Sequence, residues 1–202
     1  MRQNHPVVYI PAALLVQTGD LLASFAVDRP AEGVVYWFGL EFQGSAIVTT
    51  LVVPDADTSA GHVRTSAAAN AEALGTVVGT PLVLLGQAHS HPRANVRHSV
   101  VDDRETFAQF PGALSVVVPF FGRQGVEFLQ CGVHRHLRGK YELIRPAEVD
   151  QHLQVLPGIV DLRRVAPDLA LAPIQSSSSA LQPRTGSTST AAFVREGDLD
   201  DH

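Results

Sequence analysis

The stretch Pro81-Leu82-Val83-Leu84-Leu85-Gly86-Gln87-Ala88-His89-Ser90-His91-Pro92 decides how this chain is read. The run before the histidines is short, apolar and bounded by Thr80-Pro81, which suits a buried strand better than a helix. Alternate side chains of a strand share a face, so His89 and His91 emerge together at its end, where Pro92 stops the ladder. One metal ion can take both imidazoles. From Arg93 to His98 the chain reads as a loop leading to Ser99. Val100 to Phe110 then has helical character and halts at Pro111-Gly112, which puts Asp102 in that helix's first turn.

His89, His91 and Asp102 make a ligand set of the open, catalytic kind, in which a zinc ion keeps one position for water; structural sites are closed, often by thiolates. Cys131 is the single cysteine, so no Cys-rich structural site can be assembled. Two neutral imidazoles and one carboxylate leave zinc with net positive charge, which helps to ionise water and polarise a carbonyl. The same residues have plainer readings. Ser99-x-x-Asp102 ahead of an apolar run is also a helix capping box, both side chains satisfying backbone N–H groups. A His-x-His pair also arises without any metal, and His134-Arg135-His136 is read that way. It precedes the turn-forming Leu137-Arg138-Gly139-Lys140, has no Ser-x-x-Asp at a matching distance, and is expected to be solvated.

His-Ser-His, the seven residues Pro92 to His98, then Ser-x-x-Asp resembles the signature of the JAMM/MPN zinc metalloproteases. That family places a glutamate upstream of a small, apolar stretch ending in glycine, and Glu32-Gly33-Val34-Val35-Tyr36-Trp37-Phe38-Gly39 looks like that element. Taken alone, Glu32 follows the turn Asp28-Arg29-Pro30-Ala31, where an exposed glutamate needs no special reason. The resemblance continues through Gly86-Gln87-Ala88 and Asp102-Asp103 and covers roughly residues 5 to 145, in the compact style of bacterial members. Two positions depart from the pattern: Ala88 stands where an aromatic is common, and the chain after Phe110 is too short for the second insertion of larger relatives.

The resemblance implies an α/β (α+β layered) fold, a curved mixed β-sheet flanked by helices of the MPN/JAB, cytidine-deaminase-like kind. It implies one Zn2+ per chain on His89, His91 and Asp102, with Glu32 as general base and then acid. Ser99 would donate to the oxyanion, a role compatible with capping because a hydroxyl can accept and donate at once. Asp103 either orients its neighbours or simply favours the helix dipole. The activity implied is hydrolysis of the amide after the C-terminus of a ubiquitin-like protein with a Gly-terminated tail, encoded beside activating and conjugating enzymes. Such a tail would pair through its backbone with a free strand edge. By analogy the loop from Pro54 to Arg64, with His62 and Arg64, either orders over it or makes no contact. A metal hydrolase acting on a small amide or a sulfur-carrier protein adduct is the first alternative. A non-catalytic MPN scaffold is the second, and it predicts damage to a ligand set that is intact here.

Composition agrees with a small enzyme. At 202 residues and 45% hydrophobic content the chain can build one sizeable core. Net charge is −5; the stretch from Gln175 holds Arg184 and Arg195 against Glu196, Asp198, Asp200 and Asp201, leaving a nearly neutral remainder of 13 basic and 16 acidic residues. No nucleic-acid surface is expected. No apolar run approaches the ~20 residues of a membrane span, and Met1 to Pro6 does not open a secretory signal, so a cytoplasmic protein is expected. The division expected is a metalloprotease domain over 1–158, an extension over 159–174 and a Ser-rich, acidic, disordered tail over 175–202.

Strands are expected at Val7 to Ile10, Val34 to Phe38, Ala46 to Val53, Ala113 to Pro119, Val126 to His136 and Tyr141 to Ile144. Besides the Asp102 helix, helices are expected from Pro11 to about Phe25, after a Thr65 or Ser66 cap to Gly75, and from Ala147 to Leu156.

Overall fold

The computed structural model describes residues 5–158. The expected extension over 159–174 and tail over 175–202 lie outside the described residues. The elements are β1 (Val7–Pro11), α1 (Ala12–Ser24), β2 (Val34–Phe42), β3 (Ser45–Val52), β4 (Ala56–Ser59), β5 (His62–Thr65), α2 (Ala67–Gly75), β6 (Val83–Ser90), α3 (Val100–Glu105), β7 (Leu114–Val118), β8 (Gly132–Leu137), β9 (Lys140–Leu143) and β10 (Leu153–Leu156). Eight strands form one mixed sheet in the order β10-β1-β3-β2-β6-β7-β8-β9, while β4 and β5 make a separate ribbon. The β1–β10, β1–β3 and β6–β7 pairs are parallel and the rest antiparallel. This is the α/β arrangement that the sequence implied.

Both faces of the sheet are covered. Val35 and Trp37 of β2 join Leu15 and Leu22 of α1 in the larger core, with Ala88, Leu114 and Val116 beneath. Val34, Tyr36 and Phe38 point the other way, toward Ala73 and Val77 of the α2 segment. Strands buried on both faces read as continuous apolar runs, which is why Val34 to Phe38 shows no alternation.

One irregularity sets the site. In the β2–β6 ladder Phe38 pairs with Leu84 but Trp37 pairs with Gly86, so Leu85 is an extra residue. A one-residue slip moves every following side chain to the other face. Beyond this bulge Gln87 pairs with Tyr36 and His89 with Val34, on the side away from the main core. Gly86 has to be glycine there, since a Cβ would stand 2.3 Å from the Leu114 carbonyl oxygen.

Several elements differ from their sequence reading. Pro54 to Arg64 is not a plain loop: it carries β4 and β5, paired from Ala56 opposite Thr65 to Ser59 opposite His62. The helix after Ser99 ends at Glu105, because the Phe107 N–H goes to the Gln87 side chain instead of to the helix ladder. Val126 to Cys131 is not strand; β8 begins at Gly132. Ala147 to Leu156 splits into a 3₁₀ turn at Pro146–Gln151 and the strand β10, which adds to the β1 edge of the sheet. Pro11 is the residue before the helix, not its first.

His134-Arg135-His136 is buried, not solvated. It lies in β8 between β7 and β9, and each side chain finds a polar partner or an aromatic neighbour that offsets its desolvation. His134 stacks on His98 at 4.0 Å, His136 packs edge-on to Tyr141, and Arg135 donates to the carbonyls of Gly112 and Pro6. Among the described residues no helix is long and apolar enough to cross a membrane.

Candidate metal centre

His89 sits at the end of β6 and is buried; His91 follows the strand, its N–H donating to the Val118 carbonyl of β7 at 2.8 Å. Asp102 reaches them from α3. Each offers one donor atom, and the three atoms lie within 4.8 Å of one another. The Nε2 of His91 is 3.4 Å from Asp102 Oδ2, and that of His89 is 3.8 Å from Oδ1. The His91 Nδ1–H donates to the Asn95 carbonyl at 2.8 Å, which turns Nε2 toward the cluster. Both ring nitrogens of His89 are buried with no hydrogen-bond partner. Such a group normally costs stability, so an orphan imidazole aimed at a carboxylate and a second imidazole is the donor set of a cation site. The residues fit a divalent metal.

Electrostatics agree. Burial holds His89 neutral, lowering it to about 3. Burial also opposes charge on Asp102, but hydrogen bonding from His91 and the nearby His89 outweigh it and keep this carboxyl well below the usual carboxylate range. His91 moves up: burial works against its charge, and bonds to Asp102 and the Asn95 carbonyl win.

The fourth residue arrives through Ser90. Its hydroxyl accepts the Gly33 N–H at 2.9 Å and its own N–H donates to the Gly33 carbonyl at 3.0 Å, which fixes Glu32 beside the ligand strand. Gly33 allows this closeness, for a Cβ there would lie 2.3 Å from the Phe25 ring. The Glu32 N–H donates to the Ser59 carbonyl of β4 at 2.8 Å. Its side chain is buried, and burial pushes its carboxyl up to about 7, helped by Asp102 and opposed by His91.

A curated relative, a probable metalloprotease (y4jG) of Sinorhizobium fredii (strain NBRC 101917 / NGR234), is 32% identical over 119 residues, covering 52% of this chain and 66% of that protein. Over the residues matched, the chain is similar to this probable metalloprotease. The match spans just under two thirds of the relative's length. No family model matches. Protein DSY2949 from Desulfitobacterium hafniense shares the fold, with a TM-score of 0.58 at 15% identity, covering 75% of this chain and 94% of its own. AF2198, a JAB1/MPN domain protein from Archaeoglobus fulgidus, aligns more loosely, with a TM-score of 0.41 at 16% identity over 75% of this chain and 96% of that one.

A cavity of about 410 Å3 opens beside the ligands, lined by Tyr36, Val63 and Phe107 together with His89, Ser99 and Asp102. Ser99 forms the capping box: its Oγ accepts the Asp102 N–H at 3.1 Å while the Asp102 carboxylate accepts the Ser99 N–H at 2.6 Å. Both readings of Ser-x-x-Asp therefore apply to one pair of residues, and the cap aims Asp102. His62 and Arg64 stand on β5 at the cavity wall, with Arg64 paired to Glu105 of α3 at 2.8 Å. Asp103 turns away and accepts from His98 Nδ1 at 2.9 Å. Ser90, Gln87 and His98 were not singled out from sequence. The signal for Ser90 was its place between the two histidines; His98 and Gln87 left none, since their partners lie on other elements.

Proposed function

We propose that this protein is a zinc-dependent peptidase or isopeptidase that hydrolyses the amide after the C-terminal tail of a ubiquitin-like modifier. The observation that carries the chemistry is the convergence of His89, His91 and Asp102 within 4.8 Å, next to a buried carboxyl, Glu32, tied to the same strand. Two imidazoles and a carboxylate suit zinc, which would supply an acidified water and Lewis-acid polarisation of the scissile carbonyl. Glu32 takes the proton that water gives up as its oxygen bonds to the carbonyl carbon. The C–N bond then breaks, and Glu32 hands the same proton to the departing amine, so the carboxyl ends as it began. A carboxyl pushed up to about 7 is suited to both transfers near neutrality. Ser99, whose oxygen accepts the Asp102 N–H, keeps its own hydrogen for the carbonyl oxygen. His62 and Arg64 on the β4–β5 ribbon are proposed contacts for an extended tail, which recognition by backbone pairing would favour.

The test is metal content and cleavage of a modifier fusion by the wild type, Glu32→Ala and Asp102→Ala. Expected results are one zinc per chain and turnover for the wild type, zinc with turnover down by about 10²–10⁴ for Glu32→Ala, and neither for Asp102→Ala. Full activity in Glu32→Ala would remove its assigned role. A cavity of about 410 Å3 also suits a small amide or a sulfur-carrier adduct, a second reading separated from the first only by substrate.

A further inference from the structure

We propose that His98 is a positioning residue for Asp102, clamping the first turn of α3 to strands β7 and β8 and so fixing the carboxylate where it meets His89 and His91. The inference rests on the metal reading of those three side chains.

The need arises from the length of α3. It has six residues. A helix that short has no stability of its own, because nucleation costs more than so few bonds return. The capping box fixes its shape, yet both partners, Ser99 and Asp102, belong to the same segment and move together. Something else must say where the segment sits on the sheet. At its far end the Phe107 N–H is held by Gln87 Oε1 at 3.1 Å. At the near end, where Asp102 stands, the tie is His98.

The imidazole of His98 is buried, with 4% of its side chain exposed. A carboxylate can only accept, so the 2.9 Å contact from Nδ1 to Asp103 Oδ1 places the ring proton on Nδ1. The opposite nitrogen then accepts the Ser115 hydroxyl of β7 at 2.9 Å. The His98 N–H donates to His134 Nε2 at 3.3 Å, and the two rings stack at 4.0 Å, with Tyr141 of β9 behind them at 4.9 Å. His134 Nδ1 in turn faces the Gly132 carbonyl at 3.1 Å. One side chain thereby joins the first turn of α3, through Asp103, to three neighbouring strands. The loop before it is seated just as closely, since a Cβ at Gly132 would stand 1.8 Å from the Val96 carbonyl oxygen.

Ser115, His98 and Asp103 have the hydrogen-bond order of a hydrolytic triad. Ser115 is nonetheless fully buried in mid-strand, paired with Gln87 on one side and His134 on the other, so no substrate carbonyl can approach its oxygen. The same chemistry that would orient a base for catalysis here holds a ligand helix in place.

The experiment is a titration of the full-length, metal-stripped chain with Zn2+ against a chromophoric chelator, and with Co2+ followed by its visible absorption. Variants are His98→Ala, His98→Asn, Asp103→Ala and, as a general destabilising comparator, Val149→Ala in the 3₁₀ turn before β10. The wild type is expected to bind one equivalent. Affinity should fall about 10–100-fold in His98→Ala, with altered cobalt bands, and fall less in His98→Asn, whose amide can still donate to Asp103. Asp103→Ala, on a half-exposed side chain, should weaken binding and alter the bands as well, and it decides the matter if His98→Ala does not fold. Val149→Ala should lower the melting temperature at unchanged affinity. His98→Ala or Asp103→Ala with wild-type affinity and wild-type cobalt bands, whatever their melting temperatures, would overturn the positioning role alone. A wild-type chain that binds no stoichiometric metal would overturn the metal reading first and this inference with it.

Discussion

Ser90 stands between two ligand histidines and works on neither of them. Its alternation along β6 turns it to the opposite face, where it accepts the Gly33 N–H and so couples the Glu32 segment to the ligand strand. Ser90→Ala leaves a buried backbone N–H without an acceptor, a loss of about 1–3 kcal/mol. Metal content should stay at the wild-type level while kcat/KM falls by tenfold or more, because small misplacement of a catalytic group is costly. Urea unfolding, metal analysis and kinetics on one preparation check it; wild-type kcat/KM alongside lost stability would make Ser90 merely structural. Glu32 permits a second measurement that needs no substrate. Its carboxyl is raised to about 7 in the fold from 4.5, so the stability it contributes is present below pH 4.5 and lost as pH rises through about 7. In metal-free protein, Glu32→Gln should therefore lose less stability than the wild type between pH 4.5 and 7, read by denaturant melts across that window. Equal slopes would mean that the carboxyl is not buried as described.

At the scale of elements, local chemistry was legible and long-range pairing was not. The two-residue turn Arg138-Gly139 could be placed from sequence because two successive positive φ values call for a Gly-containing pair. The strand ending in His89-Ser90-His91 was equally plain, being apolar and bounded. By contrast β10 exists because Val8 to Pro11 offer an edge to Leu153–Leu156, a parallel pairing between the two ends of the fold that no local window contains. The early end of α3 has the same cause, a Gln87 side chain from β6 that captures a backbone N–H. Burial of His134 and Arg135 was hidden for that reason too: polar residues enter a core only when partners on other elements await them. The seat of the loop before α3 is testable on its own. Gly132→Ala puts a methyl group where the Val96 carbonyl lies, so the loop must move or the strand must yield, at about 1–3 kcal/mol. Far-ultraviolet circular dichroism should stay that of the wild type while the urea midpoint falls and zinc affinity weakens; an unchanged midpoint would mean that the loop floats free of β8.

For the molecule as a whole, the site lies at the carboxyl ends of the parallel neighbours β6 and β7, and the price of building it there is a set of imidazoles kept from charging. Burial lowers His89 and His98 to about 3, and lowers His5, His134 and His152 as well. In the unfolded chain each regains an ordinary value near 6.5, so below that pH the unfolded state binds protons that the folded state refuses. Stability is then intact above 6.5 and declines as pH falls toward 3. The depressed Asp102 adds to the loss below its ordinary value of 3.8, whereas the raised Glu32 and His91 oppose the trend, two groups against six. Metal should steepen the decline. Binding requires His89 and His91 free of protons, and a ligand present at a hundred times its Kd adds about 2.7 kcal/mol to the folded state. Melting temperatures taken from pH 8 to pH 4, with chelator and with saturating zinc, should differ most at the pH 8 end, because the raised His91 gives up its proton only above its ordinary range. The two curves should converge in acid as protons displace the metal and both lose the histidine contribution. Parallel curves across that range would show that the bound ion sits on groups other than these imidazoles.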